Sequence, residues 1–308
     1  MTEDSYINPL KRAVPYIRLY KGKTFVVKVG GNVLKDTRAL AGFCEDCSLL
    51  HQLGIRLAIV HGGGPQATEL GKRLGHEPTI VAGRRVTDDE TLDIAKMVYA
   101  GKLNLELLAA LEAKDVPGLG LTGPDARLIV AKRRPRSRVA GTDEEIDWGH
   151  VGDIQRVNAE LLNKLMDGGY VPVICSLATD GEGGILNVNA DGVARHVAVA
   201  LKAEKLILLT DRAGLLEDVN DPNSVLSYVD TDRIARLRNE GRISGGMLPK
   251  VEACTGALEG GVRRTHIIDG MRTHALLSEV FTNEGCGTMI VGPKEKEAYL
   301  HDEAPRKD

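Results

Sequence analysis

The sequence predicts an α/β fold in which a mainly parallel sheet is covered by helices on both faces. Apolar runs of strand length alternate with helical patterns along the chain, the order that parallel strands and their crossover helices require. Glycines cluster where the chain turns from one element into a helix, at Gly30-Gly31, Gly62-Gly63-Gly64 and Gly245-Gly246. The 308 residues, 43% hydrophobic and 27% charged, suit one large α/β domain or two fused lobes and exclude a disordered chain.

Residues 3–20 read as a helix whose stripe of Ile7, Leu10, Val14, Ile17 and Leu19 needs a partner surface, on its own domain or on another subunit. Pro9 and Pro15 predict a break or kink in it. Thr24–Val29 (TFVVKV) reads as a buried strand, followed by Gly30-Gly31 and a helix over 33–53. Arg56–Val60 is the next strand, and after His61 and its glycines a helix opens at Pro65, a residue favoured in the first helical turn. Residues 79–87 read as a hairpin, and Asp88 or Asp89 as the cap of a long helix reaching Lys114. The patch 118–157 is strand-rich, with Glu144–Val157 read as an irregular hairpin. A second alternation follows: a helix over 158–167, a strand Val171–Leu177, an extended segment Ile185–Asp191, a helix over 192–203 and a strand Lys205–Thr210. Helices over 230–241 and 247–259 and strands Arg264–Ile268 and Gly287–Val291 complete the domain, and the charged tail beyond it reads as mobile.

Composition excludes several functions. The formal net charge of −3 disfavours a general nucleic-acid coat. No apolar stretch approaches the ~18 residues of a membrane span, and the polar, acidic start is no secretory signal. Five cysteines, without a framework spacing, point to a reducing cytoplasm. Cys44 and Cys47 lie in a helical pattern and read as small helix residues. Two glycine motifs are decoys. Gly118–Gly123 (GLGLTG) has the spacing of a dinucleotide loop, but another β-like run follows where a helix is needed. Gly22-Lys23-Thr24 resembles the end of a phosphate loop, yet it precedes a strand and lacks the earlier glycine.

The chemistry gathers at the three glycine turns. A helix N-terminus offers unpaired N–H groups and a partial positive charge, and glycine lets an anion sit directly on the backbone. Three such turns suggest a ligand with several anionic groups, such as a nucleoside triphosphate plus a second anion. Lys28 lies in an apolar strand and Lys250 in the first turns of a helix, both locally unfavourable places for an ammonium. Each could merely snorkel to water; together, beside phosphate-friendly turns, they read as charge clamps for a transferring phosphoryl group. Asn187-Val-Asn-Ala-Asp191 puts Asn187, Asn189 and Asp191 on one face if extended, and caps a helix at Asn189 or Asp191 if not. Of Arg84 and Arg85, one suits a carboxylate and one the surface. His61 reads as a residue that hydrogen-bonds its loop.

These segments resemble a known family. Lys28-Val-Gly-Gly31, His61-Gly-Gly-Gly-Pro65, Gly83–Asp88 (GRRVTD), Met97–Asn104 (MVYAGKLN), Asn187–Asp191 (NVNAD), Leu209–Leu216 (LTDRAGLL) and Gly245–Lys250 (GGMLPK) are similar to the amino acid kinase superfamily, and within it to the N-acetyl-L-glutamate kinases. The resemblance covers about residues 24–292 and keeps the order of every motif. It implies a three-layer α/β/α sandwich with an N-terminal extension helix. By it, residues 1–22 form an oligomerisation helix, 23–187 a lobe for amino acid binding and dimerisation, 188–295 an ATP lobe, and 296–308 a mobile tail.

The resemblance also implies roles. Lys28 and Lys250 would stabilise the phosphoryl transition state and Asp191 would orient them. Gly63, Gly64, Arg85, Asn187 and Asn189 would bind N-acetyl-L-glutamate, with Arg85 on its α-carboxylate. Gly30, Gly31, Asp211, Gly214, Leu216, Ser244 and Gly246 would hold ATP, which carries Mg²⁺ without a dedicated protein metal site. His266, Glu279 and Gly285 would take L-arginine as a feedback inhibitor, and the N-terminal helix would interlace dimers into a ring-shaped homohexamer, a trimer of dimers. Alternatives are a related kinase acting on another carboxylate, such as carrier-linked aminoadipate or glutamate, and a non-catalytic arginine sensor.

Overall fold

Strand Thr24–Val29 is buried at every position, which only a central strand covered on both faces can be. The structure, a computed structural model, describes residues 4–81, 84–138, 145–218, 220, 221, 223–282 and 285–292, with side chains from residue 11 onward. The expectation of a mobile tail falls outside them. Helix α1 (Asp4–Tyr20) precedes β1 (Thr24–Val29). Then come α2 (Gly31–Lys35), α3 (Thr37–Gln52), β2 (Arg56–His61), α4 (Gly64–Arg73) and a short hairpin of β3 (Ile80–Val81) and β4 (Arg84–Arg85). Helix α5 (Asp89–Ala95), a π-helical segment (Lys96–Leu103) and α6 (Asn104–Glu112) follow one another without a break and lead to β5 (Gly118–Leu121). After these come β6 (Ile129–Arg133), β7 (Ser137–Arg138), β8 (Glu145–Ile146), β9 (Gly152–Val157), α7 (Ala159–Asp167), β10 (Val171–Cys175), β11 (Leu177–Thr179) and β12 (Ile185–Asn187). The chain continues through α8 (Ala190–Ala200), β13 (Lys205–Thr210), β14 (Tyr228–Asp230), α9 (Thr231–Asn239), α10 (Met247–Glu259), β15 (Arg264–Asp269), α11 (Ala275–Phe281) and β16 (Gly287–Val291).

The main sheet has eight strands in the order β14-β16-β15-β13-β1-β2-β10-β5. Its pairings are parallel except β15 with β16. The pleat sorts β1 between two helical layers. Val26 packs with Val193, Val197 and Val251 of α8 and α10, while Phe25, Val27 and Val29 pack with α3, α6 and α11. The result is a three-layer α/β/α sandwich. From β1 the chain runs to β2 on one side, and β13 later fills the other side. In parallel sheets the crevice beyond the strand ends at such a reversal is where ligands bind. A smaller sheet, β12-β11-β6-β9, flanks the first.

Several local expectations are corrected. The helix over 33–53 is two helices, because Asp36 accepts hydrogen bonds from the amides of Arg38 and Ala39 and so restarts the chain as an N-cap. Helix α1 runs uninterrupted through Pro9 and Pro15. Its C-terminal end packs on its own domain, Tyr16 edge-on to Phe281 and Tyr20 edge-on to Phe25. The stretch 145–157 does not pair with itself: β8 joins β7 and β9 joins β6, as two nested antiparallel ladders. Glu144 is outside the described residues. The strand 171–177 breaks at Ser176, beyond which β11 changes sheets. The extended reading of 187–191 also fails, since β12 ends at Asn187 and α8 begins at Ala190. Strand β14 and helix α11 were not anticipated.

Candidate active site

Lys28 is the fifth residue of β1, so its side chain leaves the sheet on the Val26 face, toward α8. There Asn189 caps α8 by accepting a hydrogen bond from the Gly192 amide at 3.0 Å, which puts Asp191 in the first turn, where the helix dipole favours a carboxylate. Asp191 is 4% exposed. Its Oδ1 lies 2.8 Å from Lys28 Nζ, and its Oδ2 accepts a hydrogen bond from Lys250 Nζ at 3.1 Å. Lys250 comes from the first turn of α10, which packs beside α8. Burial alone would raise the Asp191 carboxyl; the charges of Lys28 and Lys250 outweigh it and hold the group below its ordinary range. The three residues that the sequence singled out for phosphoryl transfer therefore meet at one point.

The glycine turns surround this point. The Gly30 amide bonds to the Leu209 carbonyl at 3.1 Å, tying the turn after β1 to β13. A Cβ on Gly31 would come within 2.8 Å of Gln66 Oε1 and 3.0 Å of Pro65, so no larger residue fits without displacement. The Gln66 amide donates to the Gly31 carbonyl at 2.7 Å, joining the first two glycine turns. Gly62 abuts Ala190, the neighbour of Asp191. His61 is fully buried and held down to about 4 by desolvation. Its Nε2 accepts from Asn104 Nδ2 at 3.1 Å and its Nδ1–H donates to the Gly62 carbonyl at 3.0 Å, the loop-bonding role that its sequence position suggests.

Arg85 Nη2 donates to the Gly64 carbonyl at 3.1 Å and to Thr68 Oγ1 at 2.6 Å, docking the β3–β4 hairpin on the start of α4, while Arg84 is exposed. Asn187 donates to Thr87 Oγ1 at 3.1 Å, beside that hairpin. Gly63, Gly64, Arg85 and Asn187 thus line one neighbourhood, and Asn189 adjoins it with its oxygen engaged as a cap. On the other side, Asn32 donates to Asp211 Oδ2 at 2.7 Å, a bond that holds the carboxyl low. Gly214 is buried against Thr288 and Leu216 bridges to Val225, so both shape the loop after β13 through their backbones. Arg242 bonds Glu217, and Ser244 and Gly246 lie exposed where α10 begins.

His266 and Glu279 form a second, buried cluster with the half-buried Gly285 against it. His266 Nδ1 donates to Glu279 Oε1 at 2.6 Å, and Glu279 Oε2 accepts from the Cys286 amide at 2.7 Å. A Cβ on Gly285 would lie 2.7 Å from Glu279 Oε2. Burial, with Lys205 beside it, drives His266 down to about 4. Burial would raise Glu279, but His266 and the Cys286 N–H bring it to about 2. Sequence reasoning missed Lys205, whose Nζ lies 3.2 Å from His266 Nε2 and 5.1 Å from the Tyr20 ring centroid. It also missed Asn32, Gln66, Thr68 and Thr87; polar residues next to glycine turns were the available signal. Cys44 and Cys47 are buried free thiols within α3. Among the described residues no helix is long and apolar enough to cross a membrane.

Comparison with known proteins gives a consistent result. A model of the amino acid kinase family matches residues 23–269. Acetylglutamate kinase of Methanothrix thermoacetophila is 47% identical over 91% of this chain and 96% of its own length. The enzyme of that name from Symbiobacterium thermophilum is 47% identical over 92% and 96%. N-acetylglutamate synthase from Neisseria gonorrhoeae, solved with coenzyme A and N-acetyl-glutamate, superposes with a TM-score of 0.81 at 29% identity, over 93% of this chain and 63% of that one. The same synthase has been solved with coenzyme A and L-arginine, with a TM-score of 0.76 at 27% identity, over 93% and 65%.

Proposed function

Because the chain belongs to the amino acid kinase family, we propose that it transfers the γ-phosphoryl group of ATP to the γ-carboxylate of N-acetyl-L-glutamate, the activity after which its curated relatives are named. The observation that carries this reading is the Lys28–Asp191–Lys250 junction, set among glycine turns at the strand-order reversal. A glutamate-type carboxyl group has a pKa near ~4.3, so it reaches pH 7 already ionised and attacks phosphorus without a general base. The obstacle is repulsion between two anions. Lys28 and Lys250 neutralise the oxygens of the transferring phosphoryl group, and Asp191 fixes the two ammoniums in position. Gly63, Gly64, Arg85, Asn187 and Asn189 hold the amino acid. Gly30, Gly31, Asp211, Gly214, Leu216, Ser244 and Gly246 hold ATP, and Mg²⁺ arrives with ATP as part of the substrate.

On this reading residues 23–187 form the amino acid lobe and 188–295 the ATP lobe. His266, Glu279 and Gly285 form an L-arginine site through which the pathway's end product restrains the enzyme; the synthase solved with L-arginine supports that ligand. Residues 1–22 link dimers into a homohexamer, and the enzyme works in the cytoplasm. Light scattering of the full chain and of a version lacking residues 1–20 tests the assembly; the same number of subunits in both would refute the linking role. The activity is tested by ADP release with N-acetyl-L-glutamate, free glutamate, aspartate, carbamate and a carrier-linked aminoadipate, with hydroxylamine to trap the acyl phosphate. Preference for N-acetyl-L-glutamate with a trapped hydroxamate supports the reading. Preference for another acid makes the chain a sister kinase, and arginine binding without turnover makes it a sensor.

A further inference from the structure

The π-helical segment Lys96–Leu103 lies against the second glycine turn, and its residues touch that turn from beneath. Hydrogen bonding from i to i+5 places residues four and five apart on one side of a helix, where an α-helix would rotate the fifth away. The widened turn accordingly brings Tyr99, Leu103 and Asn104 to the same side. A Cβ on Gly63 would meet the Tyr99 ring at 2.8 Å and would collide with Leu103, so these two side chains are the bed on which the Gly63 backbone rests. Tyr99 and Leu103 are 5% and 3% exposed and share an apolar cluster with Ala67 of α4. Asn104 donates to His61 Nε2 at 3.1 Å and to the Val173 carbonyl at 3.2 Å, which anchors the residue preceding the glycines to β10.

We propose that Tyr99, Leu103 and Asn104, presented together by the π turn, are positioning residues for the Gly62–Gly64 backbone, and through it for the amino acid substrate. The inference rests on the reading of Gly63 and Gly64 as substrate-binding amides. Glycine backbone has no side chain to restrain it, so amides that must meet an anion in one geometry need support from outside the loop. A misplacement of about 1 Å far from the reacting atoms can cost about a hundredfold in rate. The glycines assigned to ATP rest on other residues: Gly30 on Leu209, Gly31 on Pro65 and Gln66, and Gly214 on Thr288, while Gly246, the cap of α10, has open space beside it.

The test measures kcat and separate KM values for N-acetyl-L-glutamate and ATP in Tyr99→Ala, Tyr99→Phe and Asn104→Ala, together with thermal melting. The alanine variants are expected to raise the N-acetyl-L-glutamate KM about tenfold or more while the ATP KM stays within about twofold, because only one glycine turn loses its bed. Tyr99→Phe, which keeps the ring against Gly63, restores the KM. Should Tyr99→Ala fail to accumulate, Tyr99→Leu makes the same comparison with a smaller packing loss. An unchanged N-acetyl-L-glutamate KM in both truncations overturns the proposal, as does a parallel rise of both KM values that tracks a lowered melting temperature. If the unaltered chain prefers another acid, the assigned substrate fails rather than this inference, and the comparison is made with that acid.

Discussion

Lys28 and Lys250, from opposite ends of the chain, contact the two oxygens of a single carboxylate, at 2.8 Å and 3.1 Å. Asp191 thereby sets the spacing of two ammonium groups that would otherwise repel each other. One comes from the central strand and the other from a helix N-terminus, so the arrangement joins the sheet to the α8–α10 layer.

Removing that carboxylate leaves Lys28, 6% exposed, without its counter-charge. Asp191→Ala is expected to lower unfolding free energy by about 3–5 kcal/mol, the cost of stranding one member of a buried pair, and to lower kcat as well. Urea denaturation checks the first effect. Stability equal to that of the unaltered chain would mean that the lysines find other partners.

Acid should destabilise the fold through His61. Its folded pKa of about 4 lies below the ordinary 6.5, so the unfolded chain binds the proton first. The stability it contributes is complete above pH 6.5 and is lost as pH falls toward 4, a change on the order of 3 kcal/mol. His61→Gln keeps an acceptor for Asn104 but removes the titrating group. Its stability should therefore fall less steeply over that range when denaturation is followed at successive pH values; an identical slope would contradict the buried neutral imidazole.

L-Arginine should inhibit turnover, and His266→Asn or Glu279→Gln should raise the concentration needed for half-inhibition by about tenfold or more, the scale of a lost charge-assisted hydrogen bond. Activity is titrated with arginine in each variant and compared with the arginine-free rate of the same variant. Half-inhibition at the same arginine concentration in all forms would remove these residues from the proposed arginine site.

Much of this site was legible in the sequence because its chemistry is local. Gly30-Gly31 and Gly62–Gly64 announce tight turns next to apolar strands, and Lys28 stands out as a charge within TFVVKV. The register of β1 then follows from its alternation between two layers. What stayed hidden depends on tertiary partners. The π turn under Gly63 packs with Ala67 of α4 and leaves no periodic trace distinct from an ordinary helix. Lys205 meets His266 and Tyr20 only once three separate elements have assembled. The division of the first long helix at Asp36 was readable as an aspartate cap, but the continuous apolar pattern on either side masked it.

The central claim is that Lys28 and Lys250 act on the transition state rather than on substrate binding. Steady-state kinetics of Lys28→Ala and Lys250→Ala with both substrates varied tests it most directly. Each variant should lose about a hundredfold or more in kcat, with KM values for N-acetyl-L-glutamate and ATP altered far less. Full turnover at saturation, with the whole loss confined to KM, would contradict the account.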